Sequence, residues 1–145
     1  MILEGKNITK ILNKHNILSN INLKLESGHI YGFIGKNGSG KTMLFRALSG
    51  LMRIDSGEVI CDGKVLHKDI MMLPSLGIVL ENAGLYLELS GFQNLKMLAK
   101  LKNIVNDKEI KAVIMRVGLD PKDKRPIRKY SLGMKQRIVI AQALM

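Results

Sequence analysis

Cysteine, tryptophan, proline and acidic side chains are all scarce in this chain of 145 residues, and each shortage excludes something. The single cysteine, Cys61, rules out an internal disulfide and is expected to pack as a small apolar side chain in a strand. Tryptophan is absent, and with three tyrosines and three phenylalanines there are too few rings to build a base-stacking platform for single-stranded nucleic acid. No apolar run exceeds a few residues, so no segment is suited to span a bilayer. Met1-Ile-Leu-Glu-Gly-Lys6 lacks the charged start and extended apolar stretch of a secretory signal, so the chain is expected to be cytoplasmic. His15, His29 and His67 are scattered without ligand spacing and receive no metal role.

Acids are outnumbered by bases, 12 to 23, for a net charge of +11. Nucleic-acid binding, attraction to an anionic membrane surface and a basic protein with ordinary solvated faces all produce such an excess. The charge is densest from Lys122 to Arg137, where Tyr130 is the one aromatic residue. That favours the solvated face, with the membrane surface next and no nucleic acid expected. What is abundant is apolar: 46% of residues are hydrophobic, enough for one domain with a real core.

The segment Gly35-Lys-Asn-Gly-Ser-Gly-Lys41-Thr42 satisfies G-x-x-x-x-G-K-[S/T]. Its glycines allow a turn so tight that successive N–H groups point into one concavity, a nest for phosphate oxygens at a helix start. Gly35, Asn37, Gly38, Ser39 and Gly40 form the cradle, Lys41 supplies an ammonium for the β- and γ-phosphates, and the Thr42 hydroxyl is suited to Mg²⁺. At ordinary residue frequencies, about one unrelated chain in a few hundred of this length would match by chance. Context narrows this further. Ile30-Tyr-Gly-Phe-Ile34 reads as a strand before the loop, and Met43, Leu44, Ala47 and Leu48 fall at helical spacing after it until Ser49-Gly50.

Elsewhere, Ile2–Ile8, Ile17–Leu25, Glu58–Cys61 and Leu76–Leu80 read as strands, the last delivering Glu81 to its end. Composition then turns helical. Ser90 with Gln93 and Asn106 with Glu109 have capping-box spacing, and the faces Phe92, Leu95, Leu98, Ala99 and Ile110, Val113, Ile114, Val117 follow them. A last helix opens at Ser131 and carries Met134, Ile138, Ala141 and Met145. No internal repeat is present.

Tyr130-Ser-Leu-Gly-Met-Lys-Gln-Arg137 resembles the signature sequence of ATP-binding cassette ATPases, L-S-G-G-Q followed by basic residues and Gln, with Ser131 and Gly133 on the matching Ser and second Gly. Tyr130, Leu132 and Met134 depart from the usual letters. Together with the phosphate loop, the strand before Glu81 and the helical stretch between, the resemblance covers essentially the whole chain. It implies an α/β fold: a P-loop NTPase cassette core, a mixed β-sheet with flanking helices, over residues 1–86, an α-helical subdomain over 87–130, and signature plus helix over 131–145. Glu81 stands where the family usually has Gln; a carboxylate accepts hydrogen bonds and can meet a metal but cannot donate as an amide does. Leu12 falls where an adenine-stacking aromatic is usual. The family's apolar strand ending in Asp-Glu, the Walker B strand, is expected beyond Met145, so residues 1–145 alone should expose a strand edge and be poorly soluble.

The resemblance implies ATP and Mg²⁺ as cofactors, with Thr42 and Glu81 near the metal and Lys41 and Glu81 as the catalytic candidates. It implies a head-to-tail pair of cassettes in which Ser131 and Gly133 of one copy meet the nucleotide of the other, and a transmembrane permease partner at the cytoplasmic face of the membrane. The signature's form is most similar to exporters of antimicrobial peptides and drugs, including bacitracin-resistance and lantibiotic-immunity systems. A soluble cassette acting on ribosomes or nucleic acid, and a non-hydrolysing nucleotide-binding module, are the alternatives.

Overall fold

The computed structural model describes residues 1–79, 84–102 and 105–145. The chain divides into two compact units, Met1–Ser75 and Leu76–Met145. Each has its own core.

The first unit is a sheet with one helix against it. Strands β1 (Ile2–Leu12), β2 (His15–Glu26), β3 (Ser56–Cys61) and β4 (Lys64–Val65) lie in the order β2-β1-β3-β4, every ladder antiparallel. Two turns set this register. Asn13 and Lys14 join β1 to β2 at φ 50° and 65°, and Asp62-Gly63 joins β3 to β4 at φ 46° and 80°, the left-handed pair a tight hairpin requires. β1 runs four residues past the Ile8 at which the sequence pattern ends it. Asp55 is the reason: it accepts from the Ile11 amide at 2.6 Å and from Lys10 Nζ at 2.8 Å, holding the outer end of the strand. Helix α1 (Lys41–Ser49) ends at Gly50, at φ 83°, as the Ser-Gly stop predicts. Its buried Leu44, Ala47 and Leu48 pack with Leu3, Ile8, Leu18, Val59, Cys61 and Leu66 of the sheet side. Cys61 is 2% exposed, the packed strand residue expected, and burial pushes its thiol pKa up.

Two expected strands differ. Ile30–Ile34 is irregular, with Ile30 and Ile34 at 102% and 101% exposure, and only Phe33 of this run packs against the core. A run apolar on both faces forms a strand when neighbours cover it on both sides, and no strand lies beside it among the described residues. Residues 76–79 likewise join no ladder, with Val79 54% exposed. Leu80 and Glu81 lie outside the described residues.

The second unit is helical: α2 (Gly91–Lys102), α3 (Asp107–Arg116), a 3₁₀ turn (Ile127–Lys129) and α4 (Leu132–Leu144). Both capping boxes form as the sequence spacing predicts. Ser90 Oγ accepts from the Gln93 amide at 3.3 Å while Gln93 Oε1 accepts from the Ser90 amide at 2.9 Å. Asn106 Oδ1 accepts from Lys108 and Glu109 while Glu109 reaches back to the Asn106 amide. Leu95, Ile110, Ile114, Ile127 and Ile138, each at most 1% exposed, fill the space between helices. Each contributes about 1.5–3 kcal/mol by leaving water. Asn94 is also buried, and it bonds the Tyr86 amide and the carbonyls of Tyr86, Leu89 and Ser90, tying the chain before α2 to its first turn.

Candidate nucleotide site

The loop Gly35–Gly40 closes on itself before α1. The Ser39 amide donates to the Lys36 carbonyl at 3.2 Å, and Gly38 turns at φ 79°. Gly40 is the N-cap of α1 at φ 88°, a conformation that penalises any side chain. A Cβ there would also stand 2.7 Å from the Ile17 carbonyl oxygen of β2, and one on Gly35 would stand 2.7 Å from Ser39 Oγ. The helix start pays no attention to its own first amides: Gly40 has no side-chain acceptor to offer them, and the first turn carries no acid.

Lys41 completes this arrangement. Its Nζ donates to the carbonyls of Gly35 at 2.7 Å and Lys36 at 2.8 Å and to Ser39 Oγ at 3.4 Å, so the ammonium lies over the loop. Gly35, Asn37, Gly38, Ser39 and Thr42 are exposed. Uncapped amides, a cation hydrogen-bonded to the loop, and a first turn without acids fit an anion of phosphate size. The loop residues read from the sequence are thus brought together. Among the described residues, no three His, Cys, Asp or Glu side chains gather to hold a metal ion. The Thr42 hydroxyl is one suitable oxygen ligand, and Glu81, the other metal and catalytic candidate, lies outside the described residues. Leu12 ends β1 opposite His15 and is 46% exposed.

In the second unit, Ser131 is the N-cap of α4, at φ −63° and ψ 162°, and its Oγ accepts from the Met134 amide at 3.2 Å. Ser131 and Gly133 are exposed, a Cβ on Gly133 would meet nothing within 4 Å, and the first turn of α4 also lacks acids. Sequence reasoning missed what precedes this start. Asp123 takes the Arg125 guanidinium through Nε at 3.1 Å and Nη2 at 2.7 Å, and Arg125 Cζ lies 5.8 Å from the centre of the Tyr130 ring. Arg125 holds the Asp123 carboxyl below its usual range; burial pushes the Tyr130 hydroxyl above its own. The available signal was the D-x-R spacing before Tyr130, which a charged connector hides.

A phosphate loop opening a helix on a small sheet, followed by a helical unit, defines a nucleotide-binding cassette. The sequence matches the model of one family, ABC transporter, over residues 18–145, and the chain belongs to that family. It is 47% identical over 143 residues to YybJ of Bacillus subtilis (strain 168), an uncharacterized ABC transporter ATP-binding protein, covering 99% of this chain and 66% of that one. It is 36% identical over 143 residues to the lantibiotic transport ATP-binding protein SrtF of Streptococcus pyogenes, covering 99% of this chain and 61% of the relative. Against the bacitracin transport ATP-binding protein BcrA of Bacillus licheniformis it is 36% identical over 145 residues, covering 99% and 47%. The chain therefore spans between about half and two thirds of the length of these relatives. Its fold is that of the dimeric structure of MJ0796, a bacterial ABC transporter cassette, with a TM-score of 0.81 at 24% identity over 98% of this chain and 68% of that one.

Proposed function

We propose that this chain is the ATP-binding part of a membrane exporter, holding MgATP and coupling its hydrolysis to transport. One observation carries the reading: the ammonium of Lys41 lies 2.7 and 2.8 Å from the Gly35 and Lys36 carbonyls, in a loop that leads to a helix start whose cap, Gly40, has no side chain. The loop amides of Gly35, Asn37, Gly38, Ser39 and Gly40 would take the phosphate chain, the Lys41 ammonium would meet the β- and γ-oxygens, and the Thr42 hydroxyl, with the Glu81 carboxylate as the second candidate read from the sequence, would hold Mg²⁺. Bound there, Mg²⁺ would supply charge neutralisation at the transferring phosphate. The chain's own contribution is positional and electrostatic: fixed amide dipoles and one cation aimed at oxygens that gain charge in the transition state.

Ser131 and Gly133 are assigned to the nucleotide of a second cassette copy, a reading supported by the dimeric form of MJ0796. Loss of the γ-phosphate then opens the pair, and the helical part, proposed as residues 87–130 following a core of 1–86, passes the movement to a permease. No helix among the described residues is long and apolar enough to cross a membrane. The chain acts at the cytoplasmic face, against the permease. The names of SrtF and BcrA favour a peptide or peptide-like antibiotic as cargo.

The test is equilibrium binding of MgATP to the intact protein and to Lys41→Ala. Removing the cation should weaken affinity by about two orders of magnitude and remove hydrolysis. Equal affinity in the two proteins would overturn the site.

A further inference from the structure

The turn into α4 is held by three side chains that the nucleotide reading leaves unused. Tyr130 directly precedes the Ser131 cap and is 6% exposed, its ring seated in the helical core with Ile127 and Ile138. A Cβ on Gly91, the first residue of α2, would stand 3.3 Å from the Tyr130 hydroxyl, so the ring tip abuts the start of another helix. Arg125 lies across the ring and is anchored in turn: the Asp123 carboxylate receives Nε at 3.1 Å from each oxygen and Nη2 at 2.7 Å, and also accepts from the Arg125 amide at 2.9 Å. The connector is stapled below by the Ile127 and Arg128 amides, which donate to the Leu89 and Leu87 carbonyls at 2.9 Å.

The Arg125 side chain is 58% exposed and Asp123 14%. An ion pair with one partner so wet contributes little to folding. Its geometry, two donors of a planar group on one carboxylate and a ring beneath, is nonetheless specific. Deleting it should leave the helical core intact and free the segment that aims α4.

We propose that Asp123, Arg125 and Tyr130 form a clamp that orients the first turn of α4, making them positioning residues for the phosphate contact of Ser131 and Gly133. This rests on the reading in which that turn meets a nucleotide held by a second copy. The clamp itself touches no nucleotide. Without it the Ser131 cap samples other directions, so the pair of cassettes closes less often in a productive arrangement while each phosphate loop binds as before. The lowered Asp123 carboxyl, whose first cause is the Arg125 hydrogen bond, agrees with a persistent pair.

The test uses Arg125→Ala and Asp123→Asn in the intact protein, with two readouts. Amide exchange without nucleotide, followed at Met134, should quicken by about fivefold to tenfold in both variants. Steady-state hydrolysis should show kcat falling by about the same factor while equilibrium MgATP affinity stays within about twofold, and Arg125→Lys, which keeps the charge but not the fork, should recover less than half of the loss. Unchanged exchange in both variants, or affinity falling together with kcat, overturns the clamp. A wild-type protein that binds no MgATP sinks the functional reading, while the exchange arm still decides whether the clamp exists.

Discussion

The starts of α1 and α3 are built from opposite materials. At α3 the Asn106 side chain takes two amides, Glu109 returns the bond, and Asp107 and Glu109 place negative charge where the helix dipole is positive. That start is electrically satisfied by its own residues. At α1 the cap is a glycine without a side chain, the first turn has no acid, and the Lys41 ammonium is hydrogen-bonded to the loop before it. A helix start that only packs can close on itself; one proposed to meet an anion stays open, with a cation in the loop before it. The start of α4 stands between them, with one side-chain bond from Ser131 and no acid.

Three experiments break or sharpen this contrast. The largest effect is expected from Gly40→Val. At φ 88°, with the Ile17 carbonyl 2.7 Å from the new Cβ, the backbone must move, costing about 2–4 kcal/mol by strain and contact and abolishing MgATP binding. Calorimetric unfolding and nucleotide titration check both halves, and a variant that bound normally would deny that the loop's shape matters. Next comes a paired experiment. Asn106→Ala and Ser131→Ala should each cost about 1 kcal/mol of stability through a lost cap, yet only Ser131→Ala should slow hydrolysis. Equal catalytic loss in both would erase the distinction between closed and open starts. The smallest effect is in pH. Because Arg125 lowers the folded-state pKa of Asp123, the pair's contribution is present above the usual Asp range near pH 3.9 and declines as pH falls through the lowered value. Thermal unfolding followed from pH 6 downward should fall more steeply for wild type than for Asp123→Asn below about pH 4.

Features encoded within a few residues were legible in the sequence. The Gly35–Gly40 turn, both capping boxes, the Gly50 stop, Cys61 in its strand and the Ser131 cap all depend on neighbours close along the chain, and spacing reveals them. Features that depend on distant partners were not. Ile30–Ile34 has the composition of a strand, but a strand exists only beside another backbone. β1 runs on to Leu12 because of Asp55, far along the chain, and β4 is too short for any pattern. The Asp123–Arg125–Tyr130 cluster is hidden in the stretch from Lys122 to Arg137 where charge is densest, because charge says nothing of fork geometry.

The buried Cys61 has a practical corollary. It is the chain's sole thiol, it sits in the Met1–Ser75 unit at 2% exposure, and the helical unit has none. An alkylating reagent can reach it only when the sheet and α1 part. Labelling kinetics therefore give a site-free reporter for the opening of that unit, able to register nucleotide protection where residues 1–145 offer no tryptophan to follow by fluorescence.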